Sequence, residues 1–545
     1  MEGEKSQSPS KANISSIRKF LPQILAVSVK NVLLLAFGMC LGFPTILIPS
    51  LSGGIPEEEI VLNQDAISWI GSVNLLCVPL GCLLSGFLTQ PIGRRRSMQL
   101  VNLPLVGAWL LFHFAKHPWH VFLASCITGL SGGLLEAPTL TYLAEVTTPN
   151  LRGVLASTST VAVISGILTQ FLLGTFLHWR SVALVSAALP ITSCMLLFLV
   201  PESPYWLISK NRLQDAQRSI AWLKGWLEME EAEQDFKELY EQLKKNAENE
   251  RAQISTSLNC ESKLTRVKNN LKLYTKKNFL WPFGLVTFIF GLGHFSGMTT
   301  LQTYAVNIFA TLKVPIDKYY ATIILGVAEA LGAILSCTLV HFTGKRKMNF
   351  VSLIGTGLCF FIVATYAQTI NVTKLQTVGT TTKSTNDEQN WVPMTFLVIA
   401  AFFSHAGLRI LPWMLIGEVY YSKIRAPASG FSGAASYILG FISNKIFFSM
   451  VSVLTLPGTF WFYSIVALLG CAALYFWLPE TEGKTLFQIT EHFGGGEKLD
   501  FEVNHFIKMR RLKKEGRVLE NQSGEINNAF DRDIVKQNGD SDVKL

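Results

Sequence analysis

Three ionisable side chains, Glu136, Glu329 and Arg409, stand inside long apolar runs of this 545-residue chain. An ionised group in such a place costs several kcal/mol unless it is paired or hydrated, so each is a candidate for lining a polar cavity. Either carboxyl could also carry a proton if burial raised its pKa. The plainer reading is a buried structural pair, or residues near enough to the surface to snorkel; Lys30 and Lys445 are expected to snorkel or to line the edge of the pore. A second set of charges sits at the ends of the apolar runs. Glu145 precedes Arg152-Gly153 by seven residues, and Glu418 precedes Arg425-Ala426 by seven. Basic triplets, Arg94–Arg96 and Lys345–Lys347, close two other runs, and PESPYWL (Pro201–Leu207) and PETEGKT (Pro479–Thr485) follow two more. Carboxylates and forked guanidiniums at helix ends can form charge-assisted bridges. The expectation is a gate at the inner mouth, made by Arg94, Arg95, Glu145, Arg152, Glu202, Glu418, Arg425 and Glu480, that bridges the two halves while that mouth is closed and separates when it opens. Ordinary surface pairs worth about 0–1 kcal/mol are the alternative.

Other chemistries find little support. There is no nucleophile–base pair, no GxxxxGK[ST] phosphate loop and no Cys/His cluster at metal-ligand spacing, so no enzyme, ATP drive, metal or cofactor is expected. Of nine cysteines, eight fall in or beside apolar runs and Cys260 lies in a polar loop, which reads as packing. The net charge of +9 forms no stripe that would suit a nucleic acid.

What must position these residues is a membrane bundle. Charged residues make up only 16% of the chain, against about 25% in soluble proteins, and mean hydropathy is +0.33. Twelve apolar runs long enough for a hydrocarbon core of about 30 Å cover roughly 24–49, 66–90, 98–115, 119–144, 154–177, 181–200, 279–311, 319–342, 348–369, 392–417, 427–451 and 459–478. The fold class is therefore all-α: twelve transmembrane helices in two six-helix bundles, 23–200 and 278–478. Residues 201–277 form a polar central loop with amphipathic helices, 1–22 a polar lead and 479–545 a tail expected to be disordered after about 510. No cleavable signal peptide is expected, because the first apolar run is too long and its lead is polar. Most of the 47 Lys and Arg fall inside if both termini are cytoplasmic. That topology puts the sequon at Asn371 in an outer loop, 370–391, as a glycosylation site. It leaves those at Asn13 and Asn521 unmodified inside.

Four segments in register, EVTTPNLRG (Glu145–Gly153), PESPYWL, GEVYYSKIRA (Gly417–Ala426) and PETEGKT, resemble the sugar porters of the major facilitator superfamily, in the flavour of insect-type facilitated trehalose transporters. The likeness covers about residues 20–495. It implies the twelve-helix fold, alternating access and a sugar site near the midplane. Departures are visible. Gln90-Pro91 replaces the family's Asp/Asn–Arg step, and Gly293-His294-Phe295-Ser296-Gly297-Met298-Thr299 replaces its amide-rich seventh-helix motif. Glu329 stands where an Asn is usual, Arg409-Ile410 precede the kept Pro412-Trp413, and Ser436-Tyr437 replace an Asn-Trp pair. The substrate pocket implied is Gln170, His294, Thr299, Glu329, Arg409, Trp413, Ser436 and Tyr437. Its polar groups would meet sugar hydroxyls and its rings the apolar sugar faces.

The first span carries Phe37-Gly38-Met39-Cys40 where proton-linked relatives carry an Asp. Downhill facilitation of a sugar such as trehalose or a hexose at the plasma membrane is the expected function. The partners expected are the sugar and the bilayer, and a monomer suffices. The alternatives are a proton-coupled symporter, a carrier of another polyol or a charged metabolite, and a non-transporting nutrient receptor on the same scaffold.

Overall fold

The computed structural model describes residues 16–54, 58–258, 274–275, 277–372, 374–375, 390–420, 424–484 and 486–494. The described residues form helices and connecting turns. The first six spans are Ser16–Pro49, Gln64–Ile92, Arg94–His113, Pro118–Leu134 continued by Glu136–Val146, Pro149–Phe176 and Trp179–Leu196. The second six begin with Lys277–Phe295 continued by Met298–Thr311, then Lys318–Thr343, Lys345–Thr369 and Trp391–Ala406 continued by Leu411–Val419. The run Arg425–Trp477 contains the eleventh and twelfth, divided at Thr455, whose φ of 67° turns the chain two residues before Pro457. Ten of these stretches are long and apolar enough to cross a membrane, with that last run counted once. The third span, which opens on three arginines, completes the twelve.

Local chemistry sets the helix ends. Asn63, Asp317 and Asn390 each accept a backbone N–H with a side-chain oxygen at the start of a span. Close packing depends on small residues where two backbones meet. A Cβ on Gly129 or Gly133 of the fourth span would lie 2.1 or 2.0 Å from a carbonyl oxygen of the second, so only glycine fits this crossing.

Three spans are interrupted, and at two of them a serine hydroxyl of a neighbouring span takes up freed backbone groups. Pro138 has no N–H for the Leu134 carbonyl, and the Ser85 hydroxyl of the second span donates to that oxygen at 2.8 Å while accepting from Ala137 N–H. At the seventh span Gly297 has φ 89°, and any Cβ there would strike the Tyr463 ring at 2.3 Å. At the tenth the helix stops over Gly407–Ile410. The Ser352 hydroxyl donates to Phe403 O and accepts from Leu408 N–H.

Beyond the sixth span, Pro204–Ser209, Leu213–Leu223 and Glu233–Leu258 form helices of the central loop. Leu213–Leu223 buries Ala216, Ile220 and Leu223 on one face. A last helix, Leu486–Gly494, follows the twelfth span. The tail from 495, residues 1–15 and the sequons at Asn13 and Asn521 lie outside the described residues. Asn371 is exposed in the turn that ends the ninth span.

Candidate functional site

The breaks in the seventh and tenth spans fall beside His294, Thr299 and Arg409, and this is what aims those residues at one another. His294 is on the last turn before the seventh-span break and Thr299 just beyond it; their Nδ1 and Oγ1 are 2.8 Å apart. The other imidazole nitrogen, Nε2, lies 3.1 Å from Ser436 Oγ on the eleventh span. Gly440 clears room for this approach, since a Cβ there would lie 2.9 Å from the imidazole. Arg409, on the unwound stretch of the tenth span, donates from Nη1 to Thr299 Oγ1 at 2.8 Å. Two residues past the break, Trp413 packs edge-on against Phe290 at 5.0 Å and tilts against Tyr437 at 6.0 Å. Four of the expected pocket residues thus share one hydrogen-bond network, and two share an aromatic wall.

Glu329 is fully buried on the eighth span and accepts from Gln302 Nε2 at 2.9 Å, within electrostatic reach of Arg409. Its second oxygen has no hydrogen-bond partner. Gln170, in the other half, is buried beside Ser186, 3.3 Å away, and its amide nitrogen is unpartnered. Glu136 is half-buried at the fourth-span interruption, within electrostatic reach of both Lys30 and Tyr437. Of the two expectations for Lys30, the burial of its side chain corrects the snorkelling one. This lysine is 1% exposed and donates from Nζ to Ser159 Oγ at 2.6 Å, because Ser159 and Glu136 offer it polar partners that the water surface is too far away to match.

Residues that the sequence reading passed over close one end of the molecule. Thr45 donates to Gln302 O at 2.7 Å, Asn444 donates to Gly71 O at 2.9 Å, and Ser68 donates to Lys445 O at 3.0 Å. Each bond joins the two halves. Lys445 adds an ion pair with Asp65 at 3.0 Å and a contact with the Trp69 ring at 4.3 Å. The signal for Gln302 and Asn444 was helical spacing: Gln302 is three residues from Thr299, and Asn444 eight from Ser436.

At the opposite end the charged motifs repeat with near-identical geometry, but within each half rather than between them. Glu202 accepts the backbone N–H groups of Arg94 and Arg95 at 3.0 and 2.9 Å and thereby caps the third span. Glu480 accepts those of Lys345 and Arg346 at 3.1 and 3.0 Å and caps the ninth. The Arg94 guanidinium holds Glu145 through two bonds of 3.0 and 2.9 Å, and the Lys345 ammonium holds Glu418 at 2.6 Å. Ser203 also donates to Glu145. Arg95 and Arg346 donate to Val200 O and Tyr475 O. The seven-residue spacing does not bring its two ends together in the first half. Arg152 donates to Thr147 O, because Glu145 already faces Arg94. The side chain of Arg425 lies outside the described residues.

The profile of the family described as Sugar (and other) transporter matches residues 54–493. The chain is 26% identical over 475 residues to a facilitated trehalose transporter of Polypedilum vanderplanki, covering 87% of this chain and 88% of that one. It is 26% identical over 488 residues to one of Bombyx mori, with the same coverage. Among solved structures, it superposes on the proton:xylose symporter XylE bound to 6-bromo-6-deoxy-D-glucose with a TM-score of 0.65 at 18% identity, covering 86% of this chain and 99% of the other. The inward-open conformation of XylE from E. coli superposes with a TM-score of 0.64 at 18% identity, covering 85% and 98%.

Proposed function

The chain belongs to the sugar transporter family, with two six-helix bundles of the major facilitator kind, and from that premise we propose that it carries a neutral sugar down its gradient by alternating access. The observation that carries this reading is the His294–Thr299–Arg409–Ser436 network beside the Trp413–Tyr437 wall. The hydroxyls and the imidazole can donate and accept, as a sugar hydroxyl does, and the rings offer an apolar face. Each half also sets one cation near one carboxyl, Lys30 near Glu136 and Arg409 near Glu329. Such a cavity is close to electroneutral, which suits an uncharged cargo. Trehalose is the first sugar to test, since the trehalose transporters named above are relatives.

In this reading both termini are cytoplasmic, the chain works at the plasma membrane and Asn371 is glycosylated outside. The end closed by Thr45, Asn444 and Lys445 is then the outer gate, and the described conformation faces inward. The charged motifs Arg94, Arg95, Glu145, Arg152, Glu202, Glu418, Arg425 and Glu480 act at the inner mouth. The intra-half bonds described for all of these but Arg425 keep each bundle rigid as it rocks. The test is uptake of a labelled sugar panel into vesicles holding the purified protein, with and without a proton gradient. Saturable uptake independent of the gradient is expected. Accumulation that requires the gradient would replace facilitation by symport, and binding without uptake would replace transport by sensing.

A further inference from the structure

From a cleft unconnected with the cargo site, we infer that the chain binds an anionic phospholipid headgroup between the third and sixth spans and the central-loop helices. The cleft has a volume of about 330 Å³ and brings Arg95, Arg96, Arg212 and Arg218 together at the charged end of the bundle. Its acids are already committed. Both oxygens of Glu202 are taken up by the backbone amides of the third span, and Asp215 is held by Arg212 at 2.6 Å. The arginines retain capacity. Arg95 has a buried Nε–H with no acceptor. Arg218 reaches Asp215 only at 4.0 Å. Arg96 is exposed, with no side-chain partner among the described residues. A phosphate oxygen fits this surplus of forked donors.

The rim identifies the source of the phosphate. Phe198 and Leu199, at the end of the sixth span, line the same cleft and are 67% and 66% exposed. Two bare apolar side chains beside an arginine cluster, where a span leaves the bilayer, match a headgroup with its acyl chains attached. A soluble phosphate would leave that half of the rim uncovered. In the proposed orientation this end faces the cytoplasmic leaflet, where acidic lipids are concentrated.

Native mass spectrometry of the full chain, titrated with phosphatidylserine or with phosphatidylcholine of the same acyl chains, tests this. The serine lipid should bind more tightly. The double variant Arg96→Gln/Arg218→Gln should weaken it roughly thirtyfold and leave the choline lipid unchanged, at about fivefold per arginine. If the double variant loses its wild-type melting temperature, Arg218→Gln alone should give the fivefold loss. Equal binding of the two lipids by the wild type, or an undiminished serine preference in a folded variant, would overturn the proposal. Displacement of the serine lipid by millimolar glycerol 3-phosphate would overturn the lipid assignment in favour of a soluble phosphate.

Discussion

Asn444→Ala should release the proposed outer gate, and the structure sets how far. The Asn444 side chain makes two bonds, one to Gly71 O across the halves and one to Thr303 within its own half, each 2.9 Å. The second exists whichever way the cavity faces, so its loss cancels between states. The first exists only while the gate is closed. A buried hydrogen bond is worth about 1 kcal/mol net, so its removal shifts the balance towards the outward-facing state about fivefold. A ligand that binds a minor state from outside then sees its competent fraction rise by up to the same factor. The assay is the half-saturation concentration for sugar entry and, separately, for exit. The external constant should fall by up to fivefold while the internal one holds or rises. A lost sugar contact would instead raise both. An external constant that stays put or rises, in a protein expressed normally, would refute the gate reasoning.

Thr45→Val removes an independent bond across the same gate and should shift the external constant in the same direction, by a similar factor. Glu202→Ala uncovers the amides that open the third span and should cost about 2 kcal/mol, read as a lower melting temperature in detergent. Gly297→Ala should lose transport through misfolding, because the residue must hold φ 89° with the Tyr463 ring against it; normal expression and uptake would exclude this. Between the first and second spans, burial would raise the Glu58 carboxyl, but hydrogen bonds from Arg180 and Trp179 and the Arg180 charge outweigh it and hold the group below its usual range. His178 beside it is also held low, by burial and then by Arg180 against the pull of Glu58. Both groups bind fewer protons folded than unfolded, so stability is lost as pH falls. The loss starts near the ordinary His value of about 6.5 and deepens below about 4.3, as the carboxyl titrates through its lowered pKa. Melting temperature measured from pH 5 to 3, where the carboxyl titrates, should fall more steeply in the wild type than in Glu58→Gln; parallel curves would refute the clamp.

The architecture was legible because it repeats. Apolar length, the doubled Pro-Glu stops and the basic triplets each occur in both halves, and hydrophobic length alone determines that a segment crosses. Pairing was less legible. A seven-residue spacing marks Glu145 and Arg152 as a repeat but does not say what each meets: the chain turns at Thr147 and Thr148, and the acid faces Arg94 from another span. Contacts between spans depend on bundle geometry, which no local spacing encodes. Lys30 was misread for the same reason: its distance along the helix from the polar lead says nothing of Ser159 on the fifth span.

The two ends of this molecule and its centre respond differently to sequence change, for a physical reason. At the charged end the carboxylates of Glu202 and Glu480 bind backbone amides, so the residues that supply those amides can vary in type. Lys345 in the second half does what Arg94 does in the first, each holding the acid of the neighbouring span. In the cavity the reverse holds. His294, Thr299, Arg409 and Ser436 meet through side-chain atoms, so each fixes what the others must be. Arg409→Gln keeps a donor for Thr299 but removes the positive charge near Glu329. It should therefore leave a folded carrier whose preference among sugars changes by more than its maximal rate. The same substrate ranking with only the rate reduced would show that Arg409 braces the tenth span rather than choosing the cargo.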